Sequence, residues 1–150
     1  MLRLPRRTTY AIEAVLDVAY NAGGAPVRSG EITERQGIPS RYLEPVLQQL
    51  VRAGILVGVR GPRGGYRLGR DRRRISVGDI VRVAVGNDED EAAESDGGSA
   101  LGRAAVRPLM QSLEHDAMAR LDAVTIDELC VKARAAGVES VSTAPMDFTI

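Results

Sequence analysis

This chain has little of what usually anchors chemistry. Cys130 is its one cysteine, so no disulfide can close within the chain and the cytoplasm is the expected compartment. His115 is the one histidine, and tryptophan is absent. No nucleophile beside a base, no paired His or Cys ligands and no carboxylate dyad on one face is visible, which argues against an enzyme. No apolar run approaches the roughly 18 residues that a membrane span needs, so no membrane partner is expected. Glu13 and Asp17 interrupt the stretch after the basic N-terminus, which is therefore not read as a signal peptide. Lysine is nearly missing too. Of the 20 cations only Lys132 is not an arginine, and the guanidinium fork suits phosphates and base edges better than an ammonium does.

The formal net charge of zero hides a split. Residues 1–82 hold 15 arginines against 7 acids, a balance of +8, and residues 83–150 hold 5 cations against 13 acids, a balance of −8. A polyanion-facing half joined to a half with another task is the simplest reading.

Apolar periodicity divides the first half. Ile12, Val15, Leu16, Ala19 and Tyr20 mark one helical face, with Thr8 or Thr9 as its cap and Gly23-Gly24 as its end. Ser29 can cap a short helix over 30–36, stopped by Gly37. Leu43, Val46, Leu47, Leu50 and Val51 then repeat the helical spacing, and Gly54 fits the position just past the end. Two helices joined by a short glycine-containing turn make a helix-turn-helix. Pro45 falls near the fifth position of its second helix, so that helix either begins after Arg41 or has a distorted first turn.

Two short strands are expected at 55–59 and 66–68. Between them Arg60-Gly61-Pro62-Arg63-Gly64-Gly65 makes a tight cationic turn, which is what the wing of a winged helix-turn-helix looks like. The turn lacks the lysine and following helix of a phosphate-binding loop. Residues 70–74 read as a basic loop. Ser76 and Asp79 are spaced as a capping box for a helix ending near Gly86. Residues 87–99 are acidic, aperiodic and read as a flexible loop; their carboxylates lack the spacing of a calcium loop. Val106, Leu109, Met110, Leu113, Ala117, Leu121 and Val124 form another stripe, with Pro108 in the first turn of a helix about 24 Å long. Thr125 and Glu128 are spaced to cap a short helix, and 137–150 reads as a frayed tail.

DNA readers place the start of a recognition helix at base edges in the major groove. Here that start carries Ser40, Arg41, Tyr42, Glu44 and Gln48. Arg41 and Gln48 can bond base edges in pairs, and Glu44 can accept from a cytosine amine. Arg60 and Arg63, on the turn Gly61-Pro62-Arg63-Gly64, suit a narrow minor groove. Arg6, Arg7, Arg28 and Arg67 are assigned to phosphates.

The ordered segments Tyr10-Ala11, Glu34-Arg35-Gln36-Gly37-Ile38, Tyr42-Leu43-Glu44, Val59-Arg60-Gly61-Pro62, Gly64-Gly65-Tyr66 and Ile75-Ser76-Val77-Gly78-Asp79 resemble the Rrf2 family of bacterial transcription regulators. The likeness covers residues 1–86 and resumes over 109–129. It implies a homodimer on a palindromic site, with Val106, Leu109, Met110, Leu113, Ala117 and Leu121 at the dimer interface. Many members hold an iron–sulfur cluster on three cysteines before the long helix; this chain has none there. Arg107 stands where some members have a histidine ligand, and Thr9 where one branch has an aspartate. No cluster and no other cofactor or metal is therefore expected. Cys130 reads as a small buried hydrophobe and His115 as solvated.

The expected fold is mainly α with a small β-wing: a winged helix-turn-helix plus a long C-terminal dimerisation helix. Its parts are a DNA-binding domain at 1–86, an acidic loop at 87–105, the dimerisation and terminal helices at 106–137, and a flexible tail at 138–150. The expected function is sequence-specific regulation on double-stranded DNA, with an unidentified effector protein or small molecule as a further partner. The alternative is a regulator or adaptor controlled mainly by a protein docking on the C-terminal half.

Overall fold

A computed structural model describes residues 3–86 and 98–141. Most of the expected acidic loop, at 87–97, and the tail from 142 lie outside the described residues. The elements in order are α1 (Arg6–Tyr20), α2 (Ser29–Gln36), α3 (Ser40–Arg52), β1 (Leu56–Val59), β2 (Gly65–Leu68), a 3-10 turn (Arg72–Arg74), α4 (Val77–Val85), a π turn (Gly102–Val106), α5 (Arg107–Asp122) and α6 (Ile126–Ala135). Among the described residues no helix is long and apolar enough to cross a membrane.

α1 is the hub, touching α2, α3, α4, α6 and β2. It starts earlier than either threonine cap would place it. Pro5 is the N-cap, and its carbonyl accepts from the Thr8 and Thr9 amides at 3.0 and 3.3 Å. The threonines lie inside the first turn, and Thr8 is buried. The buried face also differs from the one expected: Ala11, Ala14, Val15, Val18 and Ala19 are buried, while Ile12, Leu16 and Tyr20 are only half-buried. The alanines are covered because neighbours pack on several sides, and a single apolar stripe cannot record that.

Asp17 is buried on this helix. Its carboxylate accepts from Arg35 Nε and Nη2 at 2.9 and 2.8 Å and from Gln36 Nε2 at 2.8 Å. These bonds hold the last turn of α2 on α1, next to the turn that leads into α3. Ser29 does not cap α2. Arg28 is the N-cap, and its amide donates to the Glu31 carboxylate at 2.9 Å. An arginine side chain has no acceptor, so only this half of a capping box can form.

α3 runs unbroken from Ser40 through Pro45, so it does not begin later. The Tyr42 and Leu43 amides share the Pro39 carbonyl at 3.0 and 3.1 Å, and Pro45 is on the exposed face. Leu43, Val46, Leu47 and Leu50 are buried; Val51, expected in the core, is 36% exposed at the edge of the stripe. The helix ends as expected, with the Gly54 and Ile55 amides bonded back to the Val51 and Leu50 carbonyls, both at 3.0 Å.

β1 and β2 pair antiparallel from Leu56↔Leu68 to Val59↔Gly65. The expected basic loop at 70–74 is instead a pinned 3-10 turn. Asp71 accepts from the Arg73 amide at 2.8 Å, Arg70 bridges to Asp79 at 2.9 Å, and Arg72 bridges to Asp127 at 2.8 Å. The Ser76–Asp79 capping box forms, with both bonds at 3.0 Å.

α5 meets the head at its C-terminal end. Arg82 of α4 grips the Asp122 carboxylate with both terminal nitrogens, at 2.7 and 2.5 Å. Gly78 has no space for a side chain, since a Cβ there would lie 1.8 Å from Asp122 Oδ1 and 3.0 Å from its backbone nitrogen. α6 turns back. Ile126 and Cys130 join the same buried cluster as Val15, Ile32, Leu47 and Ile80, so α6 packs with the head although the sequence groups it with α5. The expected frayed tail is ordered over its first residues: Ser140 Oγ donates to the Tyr20 carbonyl at 2.6 Å, and the Val141 amide donates to Asn21 Oδ1 at 3.1 Å. These residues supply partners to the end of α1, which periodicity does not reveal.

Three of these contacts have measurable consequences for stability. Asp17→Ala leaves Arg35 and Gln36 without their shared acceptor and is expected to cost about 3 kcal/mol, the low end for breaking a buried pair because Arg35 is 26% exposed. Urea unfolding at fixed protein concentration measures it; a loss under about 1 kcal/mol would contradict the role given to Asp17. Burial acts to raise the Asp79 carboxyl, but bonds from Ser76 and Arg70 outweigh it and hold the group below the usual carboxylate range. Hydrogen bonding from Arg82 does the same for Asp122. Their stabilisation is complete above the unfolded carboxylate pKa of about 3.9. It is lost as pH falls through the lower folded values. The urea midpoint should therefore drop below about pH 4, and Asp79→Asn should flatten that drop.

Candidate nucleic-acid interface

α3 presents its polar face to solvent. Ser40, Arg41, Tyr42, Glu44 and Gln48 are all exposed, opposite the buried leucines. On one flank the N-terminus of α1 comes alongside. Arg6, Arg7 and Tyr10 face Arg41, Tyr42 and Pro45 around a concavity of about 460 Å³. The Tyr10 and Tyr42 rings lie 6.3 Å apart, and the Arg41 guanidinium sits 4.7 Å from the Tyr42 ring centre. That cation–π contact keeps the Arg41 guanidinium beside the Tyr42 ring. The structure thus brings Arg6, Arg7, Arg41 and Tyr42 together. Tyr10 is an addition, and its place in the sequence, one turn after Arg6-Arg7, was the available signal.

On the other flank the wing comes alongside. Gln48, Val51 and Arg52 of α3 face Gly58 and Tyr66 across a concavity of about 300 Å³. Arg52 and Tyr66 are further additions to the expected set. Arg60, Pro62 and Arg63 are exposed at the wing tip. The tip is a turn closed by the Gly64 amide on the Gly61 carbonyl at 2.9 Å, with Pro62 in its second position. Gly61 has φ +109°, and a Cβ on Gly64 would lie 2.3 Å from the Val59 carbonyl, so side chains are excluded at both.

The base of the wing is docked. Val27 and Tyr66 exchange two backbone bonds, Val27 N–H to Tyr66 O at 2.9 Å and Tyr66 N–H to Val27 O at 2.7 Å. Gly65 permits this approach, since its Cβ would lie 2.5 Å from the Val27 oxygen. Two arginines expected at phosphates are engaged within the chain. Arg28 Nη2 donates to the Pro62 carbonyl, and Arg67 Nη2 donates to the Gly24 carbonyl at 3.3 Å.

The long helix is the second notable surface. None of the residues of α5 is buried. Val106 and Leu109 are each 58% exposed, Met110 49% and Leu113 43%; Ala117 is exposed and Leu121 half-buried. Leu4 joins this stripe along a concavity of about 500 Å³ shared with Met110, Leu113, Ala117 and Leu121. Its position before the first helix kept it out of any periodic pattern.

A family model described as "Rrf2: Iron-dependent Transcriptional regulator" matches residues 4–132. The HTH-type transcriptional regulator IscR of Photobacterium profundum is 40% identical over 132 residues, 85% of this chain and 75% of that protein. The HTH-type transcriptional regulator IscR of Vibrio cholerae is 38% identical over 132 residues, with the same shares of 85% and 75%. Among solved structures, T. potens IscR is 29% identical with a TM-score of 0.73, covering 93% of each chain. CymR, described as the global cysteine regulator of B. subtilis, shares the fold at a TM-score of 0.66 and 24% identity, over 88% of this chain and 98% of its own.

The family description raises the question of iron. Among the described residues no group of three or more His, Cys, Asp or Glu is placed to hold a metal ion. The one thiol, Cys130, is 1% exposed in the core. Burial pushes it up from the ordinary thiol range and so disfavours the thiolate that ligation needs. An iron–sulfur cluster is held by about four thiolates, and this donor set does not fit one.

The docking of the wing gives a direct test. Gly65→Ala should break the Val27–Tyr66 pair and speed amide hydrogen exchange at both residues about tenfold or more. Unchanged exchange there would show that the wing does not lean on Val27.

Proposed function

This chain belongs to the Rrf2 family of transcription regulators, and from that premise we propose that it acts as a homodimer on a palindromic operator in double-stranded DNA. The fold is that of a DNA-binding regulator, a class without enzymatic activity. The observation that carries the finer reading is the position of α3, flanked on one side by the arginines of α1 and on the other by the wing. Ser40, Arg41, Tyr42, Glu44 and Gln48 read the major groove, where base edges carry a distinct donor and acceptor code. Arg60 and Arg63 enter the adjacent minor groove. Arg6 and Arg7 bind phosphates beside the start of α3, and Arg67 does so from the wing base.

Dimerisation is supported by the exposed apolar stripe of α5, none of whose residues is buried. A helix with an apolar stripe is stable in water when the stripe is covered, and a second copy supplies a matching stripe by symmetry. The absence of ligating thiols supports a regulator without an iron–sulfur cluster, working in the cytoplasm where its DNA lies. The division into a reading head up to residue 86 and a pairing helix after the acidic loop follows the same logic.

Sequencing of DNA fragments selected by the purified protein tests the reading. A palindrome with fixed half-site spacing is the expected result. Asymmetric or featureless selected DNA would overturn the dimer or the specificity, and would favour control by a docked protein. On the selected site Arg60→Ala should weaken binding about tenfold or more, and Arg7→Ala should lower the salt slope by about 0.9. Tight binding by Arg60→Ala in an anisotropy titration would remove the wing from the interface.

A further inference from the structure

The wing tip is held from outside the hairpin. The β1–β2 ladder ends at Val59↔Gly65, and one turn bond, from Gly64 to Gly61, closes the residues beyond it. A two-stranded hairpin is marginal by itself in water, and this tip carries two mutually repelling arginines. Arg28 reaches it from the start of α2. Val27, the residue before, is fastened to Tyr66 through both backbone bonds, which sets the Arg28 side chain alongside the hairpin. Its guanidinium donates to the carbonyl of Pro62 in the middle of the turn. The donor is charged, so the bond is stronger than a neutral one. Its backbone is fixed by the bond from the Arg28 amide to the Glu31 carboxylate at 2.9 Å that starts α2.

We propose that Arg28 is a positioning residue, a brace from α2 to Pro62 that aims the wing tip and with it Arg60 and Arg63, and that it is not an independent phosphate contact. The proposal rests on the reading of the wing as a minor-groove element. A tip ordered before binding does not have to be ordered on DNA, which removes an entropic cost from association. The brace also ties the wing to the helix-turn-helix, so that the minor-groove and major-groove elements approach DNA in one fixed relation.

The test is a double-mutant cycle in the full chain. Arg28→Ala is made in the parent and in an Arg60→Ala/Arg63→Ala background, with anisotropy titrations on the selected operator across a salt series. α2 is capped through the Arg28 backbone, which the substitution keeps. In the parent, Arg28→Ala should weaken binding about tenfold. In the background lacking the tip arginines it should weaken binding less than about twofold and leave the salt slope unchanged. Equal losses in both backgrounds, with a further slope decrease of about 0.9, would make Arg28 a phosphate contact and overturn the proposal. So would full affinity in the single variant. Nitrogen-15 relaxation of the free protein gives a readout independent of DNA. Gly61 and Gly64 amides should become more mobile in Arg28→Ala, and unchanged relaxation would show there is no brace even if the operator reading holds.

Discussion

The Asp17 carboxylate has no exposed side-chain surface and accepts from the Arg35 fork and the Gln36 amide. A buried carboxylate costs several kcal/mol unless such donors reach it. Both donors come from the last turn of α2, immediately before the chain turns at Gly37 into α3. The lock therefore works at the point where a small change in α2 would swing α3 through a large distance. Apolar packing of Ile32 and Ile38 against α1 favours contact between the helices but tolerates sliding. Directional bonds to one carboxylate do not tolerate it. Beyond the stability that breaking it would cost, the ion pair fixes geometry, and the start of α3 inherits that geometry.

The rest of the proposed DNA-facing surface depends on this frame. Arg41 and Tyr42 at the start of α3 come beside Arg6, Arg7 and Tyr10 because α1 and α3 are held at one angle. The wing is placed by different means, through paired backbone at Val27 and Tyr66 and through glycines where any side chain would collide with a carbonyl. The cationic character of the turn and its shape thus have separate causes. Arginines give it its positive charge, and Gly61, Gly64 and Gly65 let it close and dock.

How much of this could be read from residues alone varies with the kind of signal. α3 and α4 were legible because each has one apolar stripe and a recognisable cap or stop, and α5 through its stripe and the proline in its first turn. The wing was legible because its glycines, proline and arginines agree. α1 was partly misread. A helix buried on several sides by alanines has no single stripe, and its true N-cap, Pro5, contributes only a carbonyl. The basic run at 70–74 reads as a loop because charge in a sequence carries no record of its partners; Asp79 and Asp127 lie in other elements. Asp17 looked like an interruption for the same reason. Its partners stand 18 and 19 residues away, and only the fold shows that all three meet in the interior.

The far end of the molecule follows a similar rule of fixed relation. Gly78 lets the end of α5 touch α4 without a side chain between them, and Arg82 fastens Asp122 at that contact. The rest of α5 has no buried residue and projects its apolar stripe outward. In the proposed dimer the two reading heads are connected through α5 and its mate, so the distance between half-sites is set by the angle at which each α5 leaves its head. Gly78 and Asp122 lie at the point where α5 leaves α4. Specificity would then have two geometric sources in one chain. The Asp17 lock would set how a head meets its half-site, and the close contact at Gly78 would bear on how far apart two heads can stand. Neither contact includes a residue assigned to DNA.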